Sequence, residues 1–268
     1  MGAVSEANGT GKRDDHPLGT MTHPPKVIGI ILAYKHATFL ERLYQGLPSS
    51  GLDSVIIAND DSGDNIDAIA ARLSIPCFTH PRLGYGGNIK YGMRKAIEMG
   101  ADYLVEIHGD NQFDTAFIIP AIDKMNQGYD LVLGSRFIDR HQPLRDKMPI
   151  VKYLSNIGLS FIARIILRVP VTEFHTGARI YSRQMIEAID LTQTSNNFLF
   201  GFEILAQAAF HDFKFGEVPT RCYYDKEHTT ITLWNSTIYA FQMVSVLIKY
   251  IWASLGFRTK LFNNGLKQ

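Results

Sequence analysis

Cysteine is nearly absent from this 268-residue chain: Cys77 and Cys222 are the only two. Two distant thiols make no disulfide framework and lack the spacing of a structural zinc site, so a reducing, cytoplasmic setting is expected. An excess of charge of one sign is missing too. Lys and Arg total 27 against 26 for Asp and Glu, which gives no broad field for a polyanion, and no nucleic-acid partner is expected. No apolar run opens the chain; residues 1–25 are rich in Gly, Thr, Asp, His and Pro and read as a disordered tail without a secretory leader. A membrane span requires about 20 consecutive apolar residues, and the apolar segment that starts at Leu233 meets Lys249 before reaching that length. Core material is plentiful. Hydrophobic residues make up 46% and charged residues 20%, enough for one large α/β domain.

Short continuous apolar runs over 27–32, 54–58, 103–107 and 131–133 read as strands covered on both faces. Helical segments are expected between them, over 39–45, 66–73, 87–99 and 117–125. This alternation predicts a mainly parallel sheet flanked by helices, with ligands at the carboxyl ends of its strands. Farther on, Val151, Leu154, Gly158, Phe161, Ile162, Ile165 and Ile166 recur at helical spacing. Strands are expected over 178–181 and 215–218, and a helix over 202–211. The expected organisation is thus a tail over 1–25, an α/β domain over 26–232 and an amphipathic helix over 233–268. In that last segment Trp234, Tyr239, Tyr250 and Trp252 accompany Lys249, Arg258 and Lys260. Such a helix suits a peripheral membrane contact in a lipid headgroup layer, or else packing on the domain or on another subunit of a homo-oligomer.

The polar residues that follow the strands are the informative ones. Asp60, in Asn59-Asp60-Asp61-Ser62-Gly63-Asp64, either accepts hydrogen bonds from a nucleobase or ribose or caps the next helix. Gly84-Tyr85-Gly86-Gly87-Asn88 opens a helix, a place where backbone approaches a ligand and phosphate is favoured. His108, Asp110 and Gln112 alternate, so an extended backbone would point all three to one side. A hard ion such as Mg2+ or Mn2+ bridging a diphosphate prefers oxygen ligands, which makes Asp110 the anchor and His108 and Gln112 its helpers. Gly134-Ser135-Arg136 offers a guanidinium to phosphate oxygens, or a surface Arg.

From Val27 to about Phe241 these segments together resemble a family 2 glycosyltransferase of GT-A fold, closest to the dolichyl-phosphate mannosyltransferase and polyprenyl-phosphate glycosyltransferase branch. Leu32-Ala33-Tyr34-Lys35-His36 stands where the family has Pro-Ala-Tyr-Asn-Glu. The segment 58–64 matches Val-Asp-Asp-Gly-Ser-x-Asp, and 84–88 matches Gly-x-Gly-x-Ala. His108-Gly109-Asp110-Asn111-Gln112 falls on Asp-x-Asp-x-Gln, with histidine in place of the first carboxylate. Gly134-Ser135-Arg136 follows the pattern unchanged. Glu173, Thr176-Gly177 and Arg179-Ile180-Tyr181 resemble a further segment, and Glu217-Val218-Pro219 another.

The resemblance implies an enzyme that transfers a hexose, with inversion, from a nucleotide-diphosphate sugar to a polyprenyl or dolichyl phosphate. It places Ala33, Tyr34, Asp60, Gly84, Gly86 and Asn88 at the nucleotide, and His108, Asp110 and Gln112 at a Mg2+ or Mn2+ ion. Lys152 and Ser155 fall where the relatives bind the lipid phosphate. Arg136 and Arg179 are candidates to neutralise donor or acceptor phosphates, and His175 and Arg221 to line the acceptor pocket. A lipid phosphate is already an anion and requires no base. A hydroxyl acceptor requires a carboxylate to take its proton, with Glu173 the first candidate and Glu203 the second. The alternatives are a soluble glycosyltransferase acting on a saccharide or small molecule, and a non-catalytic nucleotide-sugar-binding relative, which the histidine at 108 suggests.

Overall fold

All seven residues of β1 (Val27–Ala33) are buried, as an uninterrupted apolar run requires of a strand packed on both faces. The computed structural model describes residues 23–224 and 233–262. The tail expected over 1–25 lies, through residue 22, outside the described residues. After β1 come α1 (Ala37–Gln45), β2 (Ser54–Asn59), α2 (Ile66–Arg72), β3 (Cys77–Thr79), α3 (Tyr85–Glu98), β4 (Tyr103–His108), α4 (Ile118–Asn126) and β5 (Leu131–Ser135). Then follow α5 (Gln142–Arg145), α6 (Ile150–Leu167), β6 (Arg179–Ser182), α7 (Arg183–Ala188), α8 (Phe200–Phe210), β7 (Phe215–Pro219) and α9 (Leu233–Ser254). The longer elements fall where the apolar patterning puts them. The short β3, α5 and α7 are additions to that reading.

The strands form one sheet in the order β3-β2-β1-β4-β6-β5-β7. All pairings are parallel except those of β6, which runs antiparallel between β4 and β5. Side chains alternate across β1. Ile28, Ile30 and Leu32 enter a core shared with α3, α6, α8 and α9, whereas Val27, Ile31 and Ala33 face α1, α2 and α4. Helix α9 is therefore part of the domain: Met243, Val246 and Leu247 are buried in that first core, and the helix packs on α6 and α8.

Register decides where the polar residues meet. Leu32 pairs with Ala58 on one side and with His108 on the other, so β1, β2 and β4 end level. Beyond them β5 and β7 end together, with Ser135 opposite Pro219.

Candidate active site

The segment after β4 is a turn. The extended course expected through His108-Gly109-Asp110-Asn111-Gln112 is overturned at Asn111, whose φ is +55°, and its N–H donates to the His108 carbonyl at 3.2 Å. Gly109 is required there, because a Cβ would lie 2.5 Å from the Leu32 carbonyl oxygen. The three side chains consequently part company. Asp110 is buried, and its Oδ1 accepts the Gln112 N–H at 3.0 Å. Gln112 turns its amide to the Tyr223 carbonyl, 3.2 Å away. The Nε2 of His108 lies 3.2 Å from Glu106 Oε1 and 3.2 Å from the Tyr85 hydroxyl, and Gly177 packs against the ring.

Glu106 is the centre of that inner network and was not singled out from the sequence. Its other oxygen accepts the Tyr181 hydroxyl at 2.5 Å. Burial pushes this carboxyl up, but the His108 hydrogen bond, the Arg179 charge and the Tyr181 hydroxyl outweigh it and hold it below its ordinary value. The available signal was position: Glu106 lies two residues before His108, on the same face of β4.

Among the described residues no three His, Cys, Asp or Glu side chains form a cage for a metal ion. The donor set nevertheless fits Mg2+ or Mn2+. Such ions are commonly held by one or two carboxylates, with substrate phosphates and waters completing the shell, and Asp110 supplies the carboxylate. Its neighbours suit a polar ligand. His36 Nδ1 is buried without a partner, and Asp110, His108 and Asp64 all act on this imidazole electrostatically. Asp64 Oδ2 accepts the Ala37 N–H at 3.1 Å, while its Oδ1 is also buried without a partner.

Several residues assigned to the nucleotide serve the scaffold. Asp60 accepts from the backbone N–H of Leu83 at 2.6 Å and of Gly84 at 3.0 Å, so its carboxylate clamps the glycine-rich turn. Gly84, at φ +80°, has the left-handed conformation that this clamp demands. Ala33 is buried, and its carbonyl accepts the Asp60 N–H. Asn88 donates to the Ala58 carbonyl at 3.0 Å and accepts from His80 Nε2 at 2.9 Å, pinning α3 to β2. Gly86 faces protein: a Cβ would meet Phe200 Cβ at 2.5 Å and the Ser195 carbonyl oxygen at 2.6 Å. The N-terminus of α3 is not open to phosphate, since the N–H groups of Gly86 and Gly87 both donate to the Asn196 carbonyl. Tyr34 stays half-buried under the Arg82 guanidinium, which lies 3.6 Å from its ring centroid.

A second polar cluster sits at the ends of β5 and β7. The Glu173 carboxylate accepts the Arg136 backbone N–H and its Nε, both at 2.8 Å, and also ion-pairs with Nη2. Fully buried and occupied in this way, Glu173, the first candidate base, holds Arg136 in place. Glu203 is likewise spent, on the N–H and hydroxyl of Ser195 at 2.6 and 2.9 Å. Arg136 Nη1 donates to the Tyr224 hydroxyl. Lys152, in the first turn of α6, places its ammonium 4.9 Å from the same Tyr224 ring. Burial, and then the Arg136 charge, push the Lys152 ammonium below its ordinary value. Ser155 is exposed one turn farther along α6.

Arg179, expected at the acceptor, is buried, donating Nε to the Thr176 carbonyl and Nη1 to the Gly201 carbonyl, each at 2.8 Å. Arg221 is half-exposed and paired with Asp146, its Nε 3.1 Å from Oδ1. His175 is half-buried between Tyr239, whose hydroxyl lies 3.0 Å from Nδ1, and Phe202.

The sequence model described as "Glycosyl transferase family 2" matches residues 30–190. A UDP-N-acetylglucosamine–dolichyl-phosphate N-acetylglucosaminyltransferase of Methanococcus voltae is 27% identical, the match covering 73% of this chain and 84% of that one. A polyprenol monophosphomannose synthase of Mycolicibacterium smegmatis is 26% identical, covering 62% and 64%. Among solved structures, glucosyl-3-phosphoglycerate synthase from Mycobacterium tuberculosis with uridine diphosphate superposes at a TM-score of 0.65. It is 14% identical, with 88% and 82% of the two chains covered. The same enzyme with Mn2+, uridine diphosphate and glucosyl-3-phosphoglycerate gives 0.61 at 13% identity, over 88% and 82%. With β1, β2 and β4 ending level around Asp110 and the family pattern spanning more than half its length, the chain belongs to glycosyl transferase family 2 and has the GT-A fold.

Proposed function

We propose that this glycosyltransferase moves a hexose, with inversion, from a nucleoside-diphosphate sugar to a polyprenyl or dolichyl phosphate. The observation that supports the acceptor class is the fate of the two carboxylates that the sequence offers as bases. A hydroxyl acceptor must lose its proton as it attacks, and both Glu173 and Glu203 are buried in hydrogen bonds to other groups. A phosphate monoester is already anionic at neutral pH. Its oxygen attacks the anomeric carbon as the bond from that carbon to the β-phosphate oxygen breaks, and no proton has to move.

The surroundings suit such an anion. Arg136 and Lys152 bring two cations to Tyr224, and the ammonium of Lys152, disfavoured by burial and by Arg136, gains from any phosphate seated beside it. Ser155 and Arg221 flank this end of the domain. At the donor, Asp110 would hold Mg2+ or Mn2+ against the diphosphate, with His36, Asp64 and Tyr34 close to the nucleotide. A divalent cation there would offset the charge that develops on the departing β-phosphate. His108 and Gln112 position the turn that carries Asp110. The relatives point the same way by name, one using dolichyl phosphate and UDP-N-acetylglucosamine.

The test is transfer from radiolabelled UDP- and GDP-sugars, with Mn2+, to a short-chain isoprenyl phosphate and to its alcohol. Product is expected with the phosphate alone. Asp110→Ala should lower kcat by about 10²-fold or more, as loss of one electrostatic stabiliser does in other enzymes. Lys152→Ala should raise KM for the acceptor with little change in KM for the donor. Equal transfer to the alcohol would sink this reading.

A further inference from the structure

Helix α6 is built inside out. Asn156, Ser160, Ala163 and Leu167 are buried against the domain, within about 60° of one another at 100° per residue. Ile150, Leu154, Phe161 and Ile165 occupy a similar arc on the solvent side, where Leu154 is 61% exposed and Phe161 and Ile165 are each 59% exposed. A soluble surface helix has the reverse pattern. The 18 residues have a mean hydropathy of 1.5, yet only 22% are buried. Helix α9 repeats the arrangement. Met243, Val246 and Leu247 face the core, while Phe241 (74%), Trp252 (58%) and, just past the helix end, Leu255 (70%) are exposed. The two helices pack on each other and bury their inner faces in one core, so their apolar arcs lie on the same side of the molecule.

A continuous exposed apolar surface of this kind marks an interaction site. Charge selects the occupant. Between Ile150 and Arg168, and again between Leu233 and Phe262, the sequence contains no Asp or Glu, but it contains Lys152, Arg164, Arg168, Lys249, Arg258 and Lys260. A second copy laid face to face would bring cations against cations. An anionic lipid surface meets the same pattern with opposite charge around an apolar centre.

We propose that α6 and α9 together form the membrane-docking face of this protein, both lying flat in the headgroup layer of an anionic bilayer. Helix α6, assigned from the sequence to the body of the domain, is the principal contact. Spanning is excluded by its inner face, which is committed to the core. Lys152 begins this helix, so docking would place the Arg136–Tyr224–Lys152 cluster beside the lipid headgroups. The surface argument stands whichever acceptor the site takes.

Flotation with vesicles of phosphatidylcholine plus phosphatidylglycerol, and of phosphatidylcholine alone, tests it on the full chain. Binding to the mixed vesicles is expected, weakening as salt rises. Phe161→Asp with Ile165→Asp should reduce the bound fraction about tenfold or more, because both apolar anchors are lost. Melting temperature should hold, since both side chains already face solvent. Phe241→Asp with Trp252→Asp repeats the test on α9. Turnover with a water-soluble isoprenyl phosphate should survive in these variants, which separates failure of docking from failure of the chemistry. The proposal is overturned if the wild type stays unbound, or if the variants float equally well. It is also overturned if the chain is a dimer in buffer that these substitutions split.

Discussion

His175 is an imidazole placed where it cannot keep a proton. Burial first, then the charges of Arg136 and Arg179, push its pKa down to about 3 from an ordinary 6.5. The unfolded chain therefore binds a proton here that the folded chain refuses, between about pH 6.5 and about pH 3. Stability from this residue is complete above that window and drains away as pH falls through it, by up to about 1.4 kcal/mol per pH unit. Thermal melts from pH 7.5 to 4.5 should show the loss, and His175→Phe should flatten the acid limb. An unchanged limb would place the titration elsewhere. Asp60 shows how far the sequence carries at this scale. Its position at a strand end is legible, but the partners that consume it, the N–H groups of Leu83 and Gly84, depend on a turn whose path no local pattern encodes. The partner that occupies Arg179 is hidden from the sequence for a related reason. The carbonyl of Gly201 that binds it comes from a helix 22 residues away along the chain.

Elements were legible in proportion to their length. Runs such as β1 and periodic segments such as α3 announce themselves, whereas three residues of β3 or four of α5 carry too few positions for a period to show. The antiparallel setting of β6 between β4 and β5 is a matter of pairing and leaves no trace in composition. What the glycines at the start of α3 accommodate was equally hidden. They admit the 195–200 segment: the Asn196 carbonyl closes the helix N-terminus, and Phe200 rests where a Gly86 side chain would be. Gly86→Ala should thus cost about 1–3 kcal/mol by overpacking, because two of the three atoms it strikes are backbone oxygens that cannot rotate away. Chemical denaturation of the variant measures this. A cost near zero would mean that the 195–200 segment moves freely and that the phosphate-binding reading of this helix end must be reopened.

Across the whole molecule, the sheet brings together residues from three separate strand ends, so ligand binding and global stability are linked. His36, Asp64 and Asp110 follow β1, β2 and β4, and they converge only when those strands are in register. On the proposed function, a nucleoside diphosphate with Mn2+ would be held by them in the folded chain and not in the unfolded one. At 100 times its dissociation constant it should stabilise the protein by about 2.7 kcal/mol. For a domain of this size that is a rise of roughly 5–10 °C in melting temperature. The cation and the nucleotide should act together, since one carboxylate holds the ion weakly until phosphate oxygens complete its shell. Mn2+ alone or nucleotide alone should therefore shift the melt much less than both. Asp110→Asn should erase the joint effect while leaving the unliganded melt close to the wild type, because the Asn carbonyl oxygen still accepts the Gln112 N–H. A full shift without cation, or one that survives in Asp110→Asn, would move the donor away from the ends of β1, β2 and β4.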